Sequence, residues 1–270
     1  VLLAKHQKQL WRPISEDAFD VLWRYRYGQA RPKPVVLECP SRGTTEAERR
    51  EIERVAWDEL AFAGFGRPNS LSPRVADALA MLLDADMELD LRAVSRGRTL
   101  RALAVAERDV GLLAVLSDGR YTLVGTSRWQ LAQDLVALLP AHRPGNPKQR
   151  SVPVAVLAQA DTALRTDRVR VADQPFTAVT AALAAAGCQG DATRACARLV
   201  EQPPLGRAEL GGALRIRGER KRHNWFLTVH DTPTERYLVT HRVEDVTVVG
   251  ATPEVIVAAL QELVRSRAPW

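Results

Sequence analysis

Shifted by 125 residues and without a gap, "LLAVLSDGRYTLVG" (112–125) lies over "YLVTHRVEDVTVVG" (237–250). Thr122, Val124 and Gly125 return as Thr247, Val249 and Gly250. The frame continues into a closing helix, where Leu131, Leu135 and Leu138 match Ile256, Leu260 and Leu263, and Ser127 matches Thr252. Upstream, "AFAGFG" resembles "AAAGCQG", and a helix signalled by Ser72 resembles one capped by Asp191. Shared order, caps and register predict a pseudo-two-fold duplicated unit within a single domain spanning 1–270. Its halves run from about 15 to 140 and from 152 to 266. They are joined by a connector, 140–151, at the start of the proline-rich "PAHRPGNPKQRSVP".

Each half reads as helices, then a meander, then a helix. Ser15 can cap a helix with Phe19, Leu22 and Trp23 on one face, and "KPVVLECP" reads as a strand bounded by prolines. Thr45 and Glu48 form a capping box ahead of the stripe Ile52, Val55, Ala56, Leu60 and Ala63, with Gly64 as the stop. Ser72 and Pro73 open a third helix through Val75, Leu79, Leu82 and Leu83. Four strand-like runs follow, "MELDLRAV", "RALAVAE", "GLLAVLS" and "RYTLVG", and then a Ser127 to Gln130 capping box. Short hairpins imply antiparallel pairing, with helices outside the sheet and no βαβ rhythm, so the expected class is α+β.

At 270 residues the chain is long enough for a sizeable core, and 46% hydrophobic with 26% charged residues marks a globular protein. The +6 charge and pI near 9.6 permit nucleic acid, acidic protein or an anionic membrane surface and select none of them. Apolar windows such as "TAVTAALAAAG" are too short to cross a bilayer. "VLLAKHQKQLWRPIS" lacks a signal-peptide core, so a cytoplasmic location is expected. Cys39, Cys188 and Cys196 show no paired-ligand spacing and read as reduced thiols. No dinucleotide fingerprint, phosphate-cradling loop or HxxxH pair occurs, so neither a cofactor nor a metal is expected.

The chemistry worth weighing sits in three places. "HNWFLTVHDTPTERYLV" (223–239) sets His230 beside Asp231, which suggests a hydrolytic pair. It reads better as a hairpin turn between two strands, since no nucleophile motif accompanies it. "RIRGERKRH" (215–223) holds Arg215, Arg217, Arg220, Lys221 and Arg222. It is either a solvated strand edge or a binding site for nucleic acid or acidic protein. The matching hairpin of the first half has the turn Ser95, Arg96, Gly97, Arg98, Thr99, Leu100, Arg101, an exposed leucine in a basic loop and a candidate recognition finger.

"FDVLW" in the first helix, "KPVVLECP", "LDLR" and above all "FLTVHDTPTERYLV" before "VTVVGATPEVIVAALQEL" resemble the EspG family of actinobacterial type VII (ESX) secretion-associated proteins. The resemblance spans about residues 16–265. It implies a central antiparallel sheet flanked by helical bundles, and a cytosolic chaperone without cofactor or catalysis. The partner it implies is a PE–PPE heterodimer, held at the apolar helical tip of the PPE subunit and kept soluble before export. Family contacts come from the sheet, a first-half hairpin loop and the C-terminal helical bundle. By order the loop corresponds to Ser95–Arg101.

Overall fold

The computed structural model describes residues 10–166, 174–188, 190–201 and 204–266; His6 and the rest of 1–9 lie outside the described residues. Two compact units emerge. The first holds the described parts of Val1–Arg92, Arg98–Leu138 and Gly212–Lys221, and the second those of Ala93–Gly97, Leu139–Gly211 and Arg222–Trp270.

In the first unit, local signals set the helices. After β1 (Ile14–Ser15), the Ala18 N–H donates to Ser15 Oγ at 3.1 Å and opens α1 (Glu16–Tyr27). Thr45 and Glu48 close a reciprocal capping box on α2 (Glu46–Phe62). A small hairpin of β2 (Gly66–Arg67) and β3 (Ser70–Leu71) leads to α3 (Pro73–Asp84), with proline in its first turn. The meander β4 (Met87–Ser95), β5 (Arg98–Glu107), β6 (Val110–Ser117) and β7 (Arg120–Ser127) follows. Alternation along its strands turns Leu103, Val105, Leu112, Ala114, Leu116, Tyr121 and Leu123 into one core with Phe19, Trp23, Leu60 and Leu79 from the helices. Phe19 stacks on Tyr121 with ring centroids 4.0 Å apart. A buried charge cluster ties the helices together: Asp20, 2% exposed, accepts from Lys33 at 2.5 Å, Ser41 at 2.8 Å and Arg49 at 3.1 Å.

Two local expectations fail here. "KPVVLECP" forms only a 3-10 turn, Val35–Leu37, because Pro34 and Pro40 bring no N–H to a ladder. Val36, Leu37 and Cys39 plug the core instead, and Leu37 O accepts from the Tyr121 hydroxyl at 2.6 Å. Ser127 makes no capping bond: it is still in β7, paired with Val110, and a 3-10 turn (Arg128–Gln130) precedes the short α4 (Leu131–Val136).

The chain continues through β8 (Arg150–Pro153), α5 (Val154–Thr166), α6 (Pro175–Ala185), α7 (Asp191–Glu201), β9 (Gly206–Ile216), β10 (Glu219–Arg222), β11 (Phe226–Asp231), β12 (Arg236–His241), β13 (Asp245–Gly250) and α8 (Pro253–Arg265), all in the second unit except Gly212–Lys221, which belongs to the first. Helices α5 to α7 share the core of Ala160, Val179, Leu183 and Ala197. Ala195 of α7 packs on Tyr237, Val239 and Val248. Thr252 caps α8 by accepting from Val255 N at 3.3 Å, and the helix lies against β11.

Among the described residues the strand order is β1-β7-β6-β5-β4 in the first half and β9-β11-β12-β13-β8 in the second, where β10 pairs with β9. The 125-residue offset carries over to pairing. Ala104↔Leu113 and Ala114↔Leu123 in the first half correspond to Val229↔Leu238 and Val239↔Val248 in the second. The β-turns Arg96–Gly97 and Arg217–Gly218 also match, all four residues having positive φ. Their offset is 121, so the second half carries four extra residues between that turn and the core of β11.

The proline-rich connector is held at its C-terminal side by pairing. Arg236 N donates to Arg143 O at 2.6 Å, Gly145 N to Arg236 O at 2.9 Å and Gly250 N to Asn146 O at 2.8 Å. The chain then enters β8, which pairs with β13. A Cβ at Gly250 would overlap the Gly145 carbonyl, so glycine is required for this crossing.

Candidate partner-binding surface

Arg96 and Gly97, with φ of +49° and +76°, make the two-residue turn that joins β4 to β5. The seven-residue loop expected at Ser95–Arg101 is therefore mostly strand. Arg98, Thr99, Leu100 and Arg101 belong to β5. Leu100 is half-buried and pairs with Ser117, so it is no exposed tip, whereas Arg96, Gly97, Arg98 and Thr99 are exposed and Ser95 and Arg101 half-buried. Within the second unit, Arg96 N donates to Leu205 O at 3.2 Å, and Gly206 lies against the Ser95 side chain. The exposed apolar groups near this turn are Val94, 53% exposed, and Leu205, 40% exposed. Sequence reading missed both, because Val94 looks like ordinary strand alternation and Leu205 like loop.

The basic segment is largely neutralised inside the first unit. Arg215 reaches Asp84 at 3.1 Å, and the Arg220 Nε lies 2.9 and 2.8 Å from the two Glu88 oxygens. Lys221 has Glu219 at 3.8 Å. Those carboxylates oppose a phosphate contact at the same guanidinium groups, and the nucleic-acid alternative loses its main support.

His230 and Asp231 do not act together. As neighbours in a strand they point to opposite faces. Asp231 is buried and bound twice by Arg236, Nε at 2.6 Å and Nη2 at 2.7 Å, and the latter also donates to Pro140 O at 2.7 Å. A carboxylate so occupied cannot orient an imidazole in the way a hydrolytic triad requires. Thr232 closes the turn instead, its Oγ1 donating to Glu235 O at 2.9 Å and accepting from Glu235 N at 3.0 Å. Burial first, then Arg207 and His241, push the His230 pKa down to about 4, so the ring is neutral at pH 7.

The three cysteines are free thiols. Burial raises the Cys39 thiol and lifts Cys196 to about 11, which leaves little thiolate for chemistry. Among the described residues no cluster of His, Cys, Asp or Glu could hold a metal ion, and no helix is long and apolar enough to cross a membrane.

The EspG family model matches residues 15–262. The chain belongs to the EspG family. No curated protein matches the chain in sequence. In fold, this EspG-family chain is similar to a solved structure described as the Mycobacterium tuberculosis type VII secretion system chaperone EspG5 in complex with PE25–PPE41 dimer. The TM-score is 0.72 at 12% identity, over 97% of this chain and 99% of that one. At such identity the likeness establishes the fold, mixed α and β around a large antiparallel sheet, and agrees with the class expected from the sequence. The EspG-family match extends through the Asp231–Arg236 turn and the paired basic hairpin alike.

Proposed function

We propose that this chain is a cytoplasmic, non-catalytic chaperone of type VII secretion that binds a PE–PPE-type heterodimer at the PPE helical tip and keeps it soluble before export. The observation that carries the reading is EspG-family membership over nearly the whole chain, together with the fold of a chaperone solved bound to such a dimer. A chaperone for an apolar tip needs a persistent apolar patch rimmed by polar groups and no reacting centre. Val94 supplies exposed apolar surface on the β4–β5 hairpin, which also carries the exposed Arg96 and Arg98, and Asp231 is removed from chemistry by Arg236. We place the partner contact on this hairpin, Ser95–Arg101 widened to include Val94. The matching registers at an offset of 125 further support descent from one duplicated unit.

Replacing Val94 and Arg98 together by Glu adds two negative charges where apolar contact and positive charge are proposed. Both side chains are exposed, so the fold is expected to survive. Calorimetric titration with a PE–PPE-type pair from the same organism should show a loss of about 2 kcal/mol, roughly thirty-fold in Kd. Unchanged affinity would remove the hairpin from the interface.

A further inference from the structure

Strands β9, β11 and β12 of the second unit place Arg207, Glu209, Phe226, Thr228, His230 and His241 on one face. The registers are explicit: His230 lies opposite Arg207, Thr228 opposite Glu209, and Phe226 opposite His241. Phe226 stacks on the His241 ring, centroids 4.4 Å apart and 8° from parallel, and Thr228 Oγ1 lies 3.1 Å from His241 Nε2. Phe226 remains 41% exposed, so its end of this face reaches solvent, while Tyr237 and Val239 on the same face pack against Ala195 of α7.

The neighbouring carboxylates are already engaged. Glu209 accepts from Arg207 at 2.9 Å, Asp231 is held by Arg236 on the opposite face, and Glu235 accepts from the Tyr237 hydroxyl at 2.5 Å. The charged groups felt by His230 are therefore Arg207, His241, Asp231 and Glu209, and those felt by His241 are Arg207 and Glu209. Among the described residues, a proton on either ring meets Arg207, and α7 brings a further cation, Arg198, to Tyr237 opposite His230.

We infer that His230 and His241 form an acid-responsive switch on this face, neutral and aromatic at pH 7.5 and cationic and loosened in acid. The inference does not depend on the identity of any partner. Burial is the largest cause of the lowered pKa at both rings, with Arg207 next for each. Because the folded state disfavours the protonated rings, their contribution to stability is full above the unfolded value of about 6.5 and is lost as pH falls toward the folded value. With His230 at about 4, the unfolding constant should rise about thirty-fold between pH 7.5 and 5 from this ring alone, and further from His241.

Urea unfolding of the full chain at pH 7.5 and 5 would be compared with His230→Gln, His241→Gln and the double variant. The double variant should lose at least a thirty-fold part of the wild-type pH dependence. An equal pH dependence in wild type and double variant would overturn the switch. Should the variants fail to fold, hydrogen exchange of the wild type decides, after correction for intrinsic rates. Peptides covering 226–241 should lose protection at pH 5 before those covering 102–125, and uniform loss or none would overturn the inference.

Discussion

Arg236→Ala is expected to destabilise the protein by about 3–5 kcal/mol, a large share of the roughly 5–15 kcal/mol that holds a domain folded. Arg236 is 4% exposed, and its guanidinium joins Asp231 to Pro140 O while its backbone meets Arg143 and Gly145. Truncation removes the one cation that binds Asp231 among the described residues and leaves its buried carboxylate without that partner. The backbone bonds would remain, so the cost falls on the charge. Urea denaturation followed by circular dichroism measures it. Replacing both residues, Asp231→Leu with Arg236→Met, should recover much of the loss, because an apolar pair carries no desolvated charge. A single variant within about 1 kcal/mol of wild type would show that water reaches Asp231 and that this turn is not the closed element described above.

Asp20→Ala is expected to cost a similar amount, about 3 kcal/mol, for the complementary reason. Here two cations lose one carboxylate: Lys33 and Arg49 have side chains only 12% and 19% exposed. Burial pushes the Asp20 pKa up, but hydrogen bonds from Lys33, Ser41 and Arg49 outweigh it, and the carboxyl sits below its usual range. A depressed carboxylate stabilises the fold above its unfolded pKa, and that stabilisation disappears as pH falls through the folded value. Acid unfolding of wild type should therefore be steeper below about pH 4 than that of Asp20→Asn. Superimposable acid limbs would mean that Asp20 ionises in the fold as it does in the unfolded chain.

Much of the architecture was legible because it rests on short-range rules. Caps at Ser15, Thr45 and Thr252 sit one residue before their helices, and each accepts the backbone N–H three residues on. The four strand-like runs form the meander β4 to β7, and the 125-residue frame survives in the hydrogen-bonded pairs. What failed depended on distant partners. The proline-bounded "KPVVLECP" lost its strand because Pro34 and Pro40 bring no N–H to a ladder, leaving its apolar side chains to fill the core, and Ser127 lost its cap because β6 holds it in a ladder.

The candidate site was legible only in outline. Two residues of positive φ tighten the Ser95–Arg101 loop to a hairpin, a fact invisible in composition except for Gly97. Leu100 looked like an exposed anchor, yet its place opposite Ser117 half-buries it, and Val94 is the exposed apolar side chain beside the turn. Adjacency of His230 and Asp231 suggests a hydrolytic pair, but the hairpin-turn reading of this stretch is the one the β11–β12 pairing bears out, and the strand sends the two side chains to opposite faces. Likewise, nothing local marks Arg236 as the partner of Asp231 until the hairpin places the two opposite each other.

The most direct test of the account is whether the chain holds a PE–PPE-type pair in solution. Co-expression of the full chain with such a pair from the same organism, followed by size-exclusion chromatography with light scattering, should give one peak containing all three chains. Its mass should equal their sum, and the PPE subunit should aggregate when the chain is omitted. Separate elution of the folded chain and the soluble pair at micromolar concentration would contradict the account.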